Sequence, residues 1–289
     1  MEIPQLEHPE QDLFERQNMP LTLHDLDVRL LMARRDHLPP GLWHYARLPS
    51  YHWRLYQNDS DGGWLETSEG PFRLHAREIY LIPSGAVLAS DNDADLRQFF
   101  IHFDLCGVSP IVFHELFPGP VLVPQMPLLT EAAFALGKRV EIAGWTNFGI
   151  QCLLKGLVYT AFGRYIDSMA PEMLELYTTR VSAMVPVLPA LDHIHEQIGQ
   201  PIAIATLASR CSMSENYFIR RFRDTVGITP AKYVLKRRVA FAAQRLLFTE
   251  DSIDRIAEEL GFGDRFYFSR VFAREAGRPP GAYRRGLHV

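Results

Sequence analysis

YFIRRFRDTVGITPAKY, Tyr217 to Tyr233, and YFSRVFAREAGRPPGAY, Tyr267 to Tyr283, align without a gap at an offset of 50. Tyr217, Phe218, Arg220, Phe222, Gly227, Pro230 and Tyr233 recur as Tyr267, Phe268, Arg270, Phe272, Gly277, Pro280 and Tyr283. Upstream, Leu207-Ala208 and Ile256-Ala257 match at an offset of 49, so the second copy has one more residue between its two elements. Agreement this dense marks two copies of one structural unit.

Each copy reads as helix, short turn, helix. In the second, Ser252 or Asp251 caps a helix whose apolar positions Ile253, Ile256, Ala257 and Leu260 follow helical spacing, and Gly261 stands where a left-handed residue is wanted. Phe262-Gly263 turns the chain, Asp264 is the next cap, and Phe268 and Phe272 lie four apart on a buried face until Gly277 and Pro279-Pro280 stop the helix. In the first copy Ile204, Leu207 and Ala208 form the opening helix, Ser214 caps the second, Phe218 and Phe222 are its core, and Gly227 to Pro230 ends it. Alanines at 208 and 257 let two helices cross closely, as a helix-turn-helix requires.

With the phenylalanines inward, Asn216, Ile219, Arg220 and Arg223 project outward in the first copy, and Arg265, Phe266, Ser269 and Arg270 in the second. Arg pairs bidentately with guanine, Asn with adenine, and apolar groups meet the thymine methyl. The expected partner is double-stranded DNA. Between the copies, Ala231 to Phe248 has no Gly or Pro and forms a helical spacer of roughly 27 Å. Recognition helices in successive major grooves lie about 34 Å apart, so one chain can read two adjacent grooves with DNA bending. Lys236, Arg237 and Arg238 are candidates for phosphate contact.

Charge supports this polarity. Residues 1–185 carry 14 Lys+Arg against 23 Asp+Glu, whereas 186–289 carry 16 against 11, so a basic C-terminal part follows an acidic N-terminal one. No apolar run reaches the roughly 18 residues of a membrane span, and the polar, acidic N-terminus is unlike a signal peptide, so a cytoplasmic protein is expected. Cys106, Cys152 and Cys211 fit neither a zinc spacing nor a disulfide framework and are expected to be buried thiols.

The last hundred residues resemble the DNA-binding domain of the AraC/XylS family of bacterial transcription regulators. The family pattern I-x-x-I-A-x-x-x-G-F, followed by Y-F-x-R-x-F, G-x-x-P and Y-R, is met nearly position by position from Ile253 to Arg284. Ser212 departs from the usual glycine of the first turn, and Ile219 and Phe266 are apolar where polar base readers are common.

Residues of about 40 to 105 alternate aromatic or β-branched runs with turns: LWHYARL, HWRLYQN, GWLETSEG, EIYLIPSG and RQFFIHFDL. This is the pattern of a small antiparallel barrel or jelly roll. The resemblance implies a cupin-like barrel that binds an effector, often a sugar. Alternation in Gln98 to Phe103 sends Phe99, Ile101 and Phe103 to the core and Gln98, Phe100 and His102 to the face a small polar ligand needs. Arg47 matches in position an arginine that arabinose-type regulators use on their effector, and Trp53 is a weaker candidate. A metal-dependent cupin enzyme is the alternative, but His75, Glu78 and Gly85 supply one histidine where two are required.

Leu128 to about Leu188 turns helical. In related regulators these helices form the dimer interface; Leu153, Leu154, Leu157, Val158 and Phe162 either serve there or pack against the barrel. Pro186 to Pro189 is a plausible linker, and the first 20 residues are either an arm over the ligand or a loose end.

The expectation is therefore an α+β chain: arm and cupin-like effector barrel in 1–125, helical dimerisation region in 126–185, and an all-α domain in 186–289. The last holds helix-turn-helix motifs at about 202–227 and 252–277 joined by a long helix. A homodimeric, effector-controlled regulator follows, with RNA polymerase a candidate partner and neither catalytic residues, metal nor cofactor. The rivals are a constitutive regulator whose barrel only dimerises and a cupin-type enzyme fused to a DNA-binding module.

Overall fold

A computed structural model describes residues 26–43, 45–106 and 116–285 and, within them, all side chains except those of 45–49, 176–178 and 180–181. The proposed arm lies outside the described residues. The N-terminal part stacks two antiparallel sheets. One is built from β1 (Asp27–Leu38), β8 (Leu96–Cys106), β3 (Trp53–Asn58), β6 (Ile79–Ile82) and β9 (Val121–Leu122), in that order. The other runs β2 (Tyr45–Pro49), β7 (Val87–Asn92), β4 (Gly63–Thr67) and β5 (Gly70–Leu74). Among the described residues no ladder joins the two, so the expected barrel is an open sandwich.

Four strands escaped the sequence reading, the two-residue β9 among them. β1, DVRLLMARRDHL, is rich in helix formers and has one β-branched residue; pairing along the whole of β8 makes it a strand. Its period is also broken. A bulge between Leu30 and Met32 lets Val28 and Ala33, five residues apart, both face the core. β5 begins on the Gly70-Pro71 pair that reads as a turn, and β7 ends inside the acidic turn of residues 91–95.

The five-stranded sheet is covered on both sides. Helices α1 (Pro127–Ala143) and α2 (Phe148–Asp167) bury Leu129, Leu136, Val140, Ile150, Leu154 and Phe162 against Leu55, Phe99, Ile101 and Phe103. Trp43, Tyr56, Leu65, Leu74, Tyr80 and Ile82 fill the space between the sheets. Leu154, Leu157, Val158 and Phe162 therefore pack inward, and of the residues proposed for dimerisation Leu153 alone is exposed. Cys152 is exposed on α2, and Cys106 and Cys211 are half-buried, so the expectation of three buried thiols fails.

After α3 (Pro171–Met184) the chain does not enter an extended linker at Pro186. Val185–Val187 forms a 3-10 turn leading directly into α4 (Leu188–Glu196), whose Ala190, Leu191 and Ile194 are buried in the C-terminal core. That core is shared by α5 (Ile204–Arg210), α6 (Glu215–Val226), α7 (Pro230–Phe248), α8 (Ile253–Glu259), α9 (Arg265–Ala276) and α10 (Pro280–Arg285).

Candidate nucleic-acid interface

The repeat in sequence is a repeat in packing. Phe218 and Phe222 pack tilted at 5.5 Å with Tyr233 edge-on to Phe222 at 5.7 Å; Phe268 and Phe272 pack tilted at 5.5 Å with Tyr283 edge-on to Phe272 at 5.2 Å. Gly227 and Gly277 end α6 and α9 at φ 81° and 80°. The turns within the units match as well. Met213 N–H donates to the Ala208 carbonyl and Phe262 N–H to that of Ala257, both at 2.9 Å, closing Schellman-type loops.

Ser212 and Gly261 occupy the same place in these loops, at φ 54° and 69°. Ser212 is thus a side chain held in a left-handed conformation that costs an L-residue about 1–2 kcal/mol. Ser212→Gly is expected to raise the stability of the C-terminal domain by about 0.5 to 1 kcal/mol, the relief being offset by the greater freedom of unfolded glycine. A thermal melt that shows no gain would contradict this.

Capping differs between the copies. Asp264 accepts from Tyr267 N–H at 2.7 Å and Ser252 from Arg255 N–H at 3.1 Å, whereas Ser214 stands at its cap position without a side-chain bond. Asn216, Ile219, Arg220 and Arg223 are exposed on α6, with Arg220 lying over the Tyr217 ring. On α9, Phe266 is 78% exposed, Arg270 is exposed and Ser269 half-buried, while Arg265 is exposed and pairs with Asp254 at 3.0 Å. Both outward faces thus carry guanidinium, amide or hydroxyl donors beside an apolar group.

The three basic residues of α7 proposed for phosphate, Lys236, Arg237 and Arg238, diverge. Lys236 is exposed. Arg237 is half-buried, its guanidinium over Phe241 and 3.4 Å from His195 Nδ1. Arg238 turns to the protein: its guanidinium donates to the carbonyls of Ile198, Gly261 and Gln200 at 3.0, 2.9 and 2.8 Å.

In the sandwich, Gln98, Phe100 and His102 share a face with Asn58, Tyr56 and Arg54 of β3, their register partners. Gln98 Nε2 donates to Asn58 Oδ1 at 3.1 Å. Trp53 pairs with Phe103 and packs against Phe117 and Phe162 in the core beneath α2, so it lies across the sheet from the proposed ligand face. The side chain of Arg47, in β2, lies outside the described residues. His102 is buried, its ring 4.6 Å from that of His52, 4.7 Å from Phe100 and 5.8 Å from Phe248 at the end of α7. Burial first, then the His102 ring and Arg54 beside His52 and Arg54 near His102, hold both imidazoles well below their ordinary pKa.

This edge of the sandwich is joined to α7. Gln244, buried, donates to the Tyr51 carbonyl at 2.7 Å and to Asp104 Oδ2 at 3.2 Å and accepts from Arg29 at 2.7 Å; Arg29 also pairs with Asp104 at 3.1 Å. Tyr51 Oη donates to the Glu275 carbonyl of α9. Sequence reasoning missed this set. Gln244, polar within the apolar run of VAFAAQRLL, was the signal available.

His75 is exposed, with its Nδ1 3.5 Å from Asp61, and Glu78 accepts from Tyr80 Oη. Among the described residues no three His, Cys, Asp or Glu side chains converge as metal ligands, and no helix is long and apolar enough to cross a membrane.

Residues 207–286 match the model of a helix-turn-helix domain family. The MmsAB operon regulatory protein of Pseudomonas aeruginosa is 31% identical over 282 residues, covering 86% of this chain and 83% of its own. The regulatory protein SoxS of Salmonella typhimurium is 39% identical over 97 residues, covering 34% of this chain and 91% of its own. Among solved structures, ToxT of Vibrio cholerae covers 92% of this chain with a TM-score of 0.51 at 13% identity, a likeness of fold.

Proposed function

We propose, from the premise that this chain belongs to the AraC/XylS family of DNA-binding transcription regulators, that one chain reads two successive major grooves through α6 and α9. The observation that carries this reading is the pair of equivalent outward faces on α6 and α9, with Arg220 and Arg270 at matching repeat positions on helices fixed by identical aromatic cores. Asn216, Ile219 and Arg223 complete the first face, and Arg265, Phe266 and Ser269 the second. Lys236 lies on the helix between them and serves phosphate.

Control by a small polar effector, with a sugar as the first class to test, is assigned to the sandwich face of Gln98, Phe100 and His102. His102 touches Phe248, and Gln244 ties α7 to Tyr51 and Asp104, so a ligand that moves this face acts on the helix between the DNA-reading units. Such control requires that the effector bind two interdomain arrangements with different affinity. Self-association is assigned to the exposed apolar groups Leu128, Ile142, Phe148 and Leu153 beside the sandwich.

Arg270→Ala and Arg220→Ala are each expected to cost specific binding about 1 to 3 kcal/mol and to relax preference at one base position. Lys236→Ala is expected to weaken all sequences alike and to reduce the salt slope by about one. Selection of bound duplexes from a random library by each variant, with affinities across a salt series, checks both; identical behaviour of the three variants would remove the groove assignment. A thermal-shift panel of sugars and other small polar metabolites tests the effector, since a bound ligand raises the melting temperature.

A further inference from the structure

Arg238 lies two residues beyond Lys236, about 200° around α7, and so faces away from it. Its Nε donates to the Ile198 carbonyl and one terminal nitrogen to that of Gln200, both in the loop between α4 and α5 that leads into the first helix-turn-helix unit. The other terminal nitrogen donates to the carbonyl of Gly261, in the turn of the second unit. One planar fork thus binds both units and the helix between them.

The surrounding backbone is shaped for this junction. A Cβ on Gly199 would fall 2.2 Å from the Glu259 carbonyl oxygen at the end of α8, so the loop of the first unit lies directly against the second. A Cβ on Gly261 would meet the Arg238 guanidinium at 2.9 Å and the Gly199 carbonyl at 3.0 Å. Neither backbone could approach so closely with a side chain present. The guanidinium fills the remaining gap with donors in the three directions the carbonyls require, which the tetrahedral ammonium of lysine does not reproduce.

We propose that Arg238 is a positioning residue that sets the placement of one helix-turn-helix unit relative to the other, and with it the groove spacing the protein accepts. The proposal rests on the reading that both units contact DNA. Two recognition elements held rigidly gain affinity only on DNA whose half-sites match their separation, whereas elements joined loosely lose affinity but tolerate other separations.

The test uses the full chain and duplexes that the wild-type protein selects from a random library, together with derivatives in which either half is scrambled or the halves are moved apart one base pair at a time. Arg238→Ala is expected to keep its affinity for single-half duplexes within about threefold, to lose about 10-fold or more on two-half duplexes, and to discriminate less between spacings. Loss of packing alone would lower the melting temperature without changing spacing preference. Should Arg238→Ala fail to fold, Arg238→Lys, which keeps charge and stem, is read in the same way and is expected to show the same relaxed spacing. A folded variant with wild-type spacing discrimination overturns the proposal, as does uniform weakening on single and paired halves with a shallower salt slope, which would make Arg238 a phosphate contact. If the wild-type protein selects only single half-sites, the two-groove reading itself has failed, and that is seen before any variant is made.

Discussion

Phe272→Ala is expected to destabilise the C-terminal domain by about 3 to 5 kcal/mol and so to abolish DNA binding. The ring is fully buried where α9, α10 and α7 meet, 5.5 Å from Phe268 and edge-on to Tyr283 at 5.2 Å. Its removal forfeits the transfer free energy of an aromatic side chain and leaves a cavity that rigid helices close only in part. A domain of this size has about 5 to 15 kcal/mol in total, so the variant sits at or near the edge of folding. Phe222→Ala, its counterpart in the first unit, is expected to behave alike. Phe266→Ala is the contrast. Six residues earlier on the same helix and 78% exposed, it is expected to change stability by less than about 0.5 kcal/mol while altering DNA preference. Urea denaturation followed by far-ultraviolet circular dichroism separates the two, and equal destabilisation by Phe266→Ala would mean that α9 is oriented otherwise.

The same contrast shows what the amino-acid pattern could reveal. In the C-terminal domain the structural signals are local: four-residue spacing of Phe218 and Phe222, glycines at 227, 261 and 277, caps at Ser252 and Asp264. Each acts within one or two turns of chain, and their recurrence at a fixed offset doubles the information. Even Ser212, read as a non-glycine turn, takes up the left-handed geometry of Gly261. In the N-terminal part the deciding forces act over long separations. β1 is a strand because β8, some seventy residues later, pairs with it, and its bulge shifts the inward parity that alternation would predict. Trp53 stood as a weaker ligand candidate because aromatic character does not say which side of a sheet a residue faces; its pairing with Phe103 does. Arg238 looked like its neighbours in a basic run until three carbonyls from two other segments were seen around it. The junction between the sandwich and α7 was invisible for the same reason, since Arg29, Tyr51, Asp104 and Gln244 meet only when both domains are folded.

Beside that junction, the buried pair His52 and His102 is expected to make stability depend on pH. Acidifying from pH 7.5 to 5.5 is expected to lower the stability of the folded chain, by at most about 3 kcal/mol, through His52 and His102. Both imidazoles are buried between strands β3 and β8 of the five-stranded sheet and Phe248, with rings 4.6 Å apart and Arg54 Nε 3.3 Å from His52 Nε2. Burial and these neighbours hold them neutral in the folded state, below the ordinary value of 6.5. Unfolded, each binds a proton as pH falls through that value. Their folded-state pKa values being depressed, stability is complete above about pH 6.5 and is lost below it, by at most about 1.4 kcal/mol per pH unit for each ring. His195, also held below its ordinary value chiefly by burial, adds in the same direction. Glu141, Asp251 and Glu259 are held below ordinary carboxylate values by arginine partners, and the stability they contribute is lost only at more acidic pH. Urea midpoints at the two pH values, compared with those of the His52→Phe, His102→Phe double variant, isolate the effect: the wild type should lose stability on acidification and the double variant most of that dependence. A flat wild-type profile would mean that the rings are solvated and that the sandwich does not close on Phe248. A steep one would make protonation of this pair a way of loosening the sandwich's hold on α7, the helix that joins the two helix-turn-helix units.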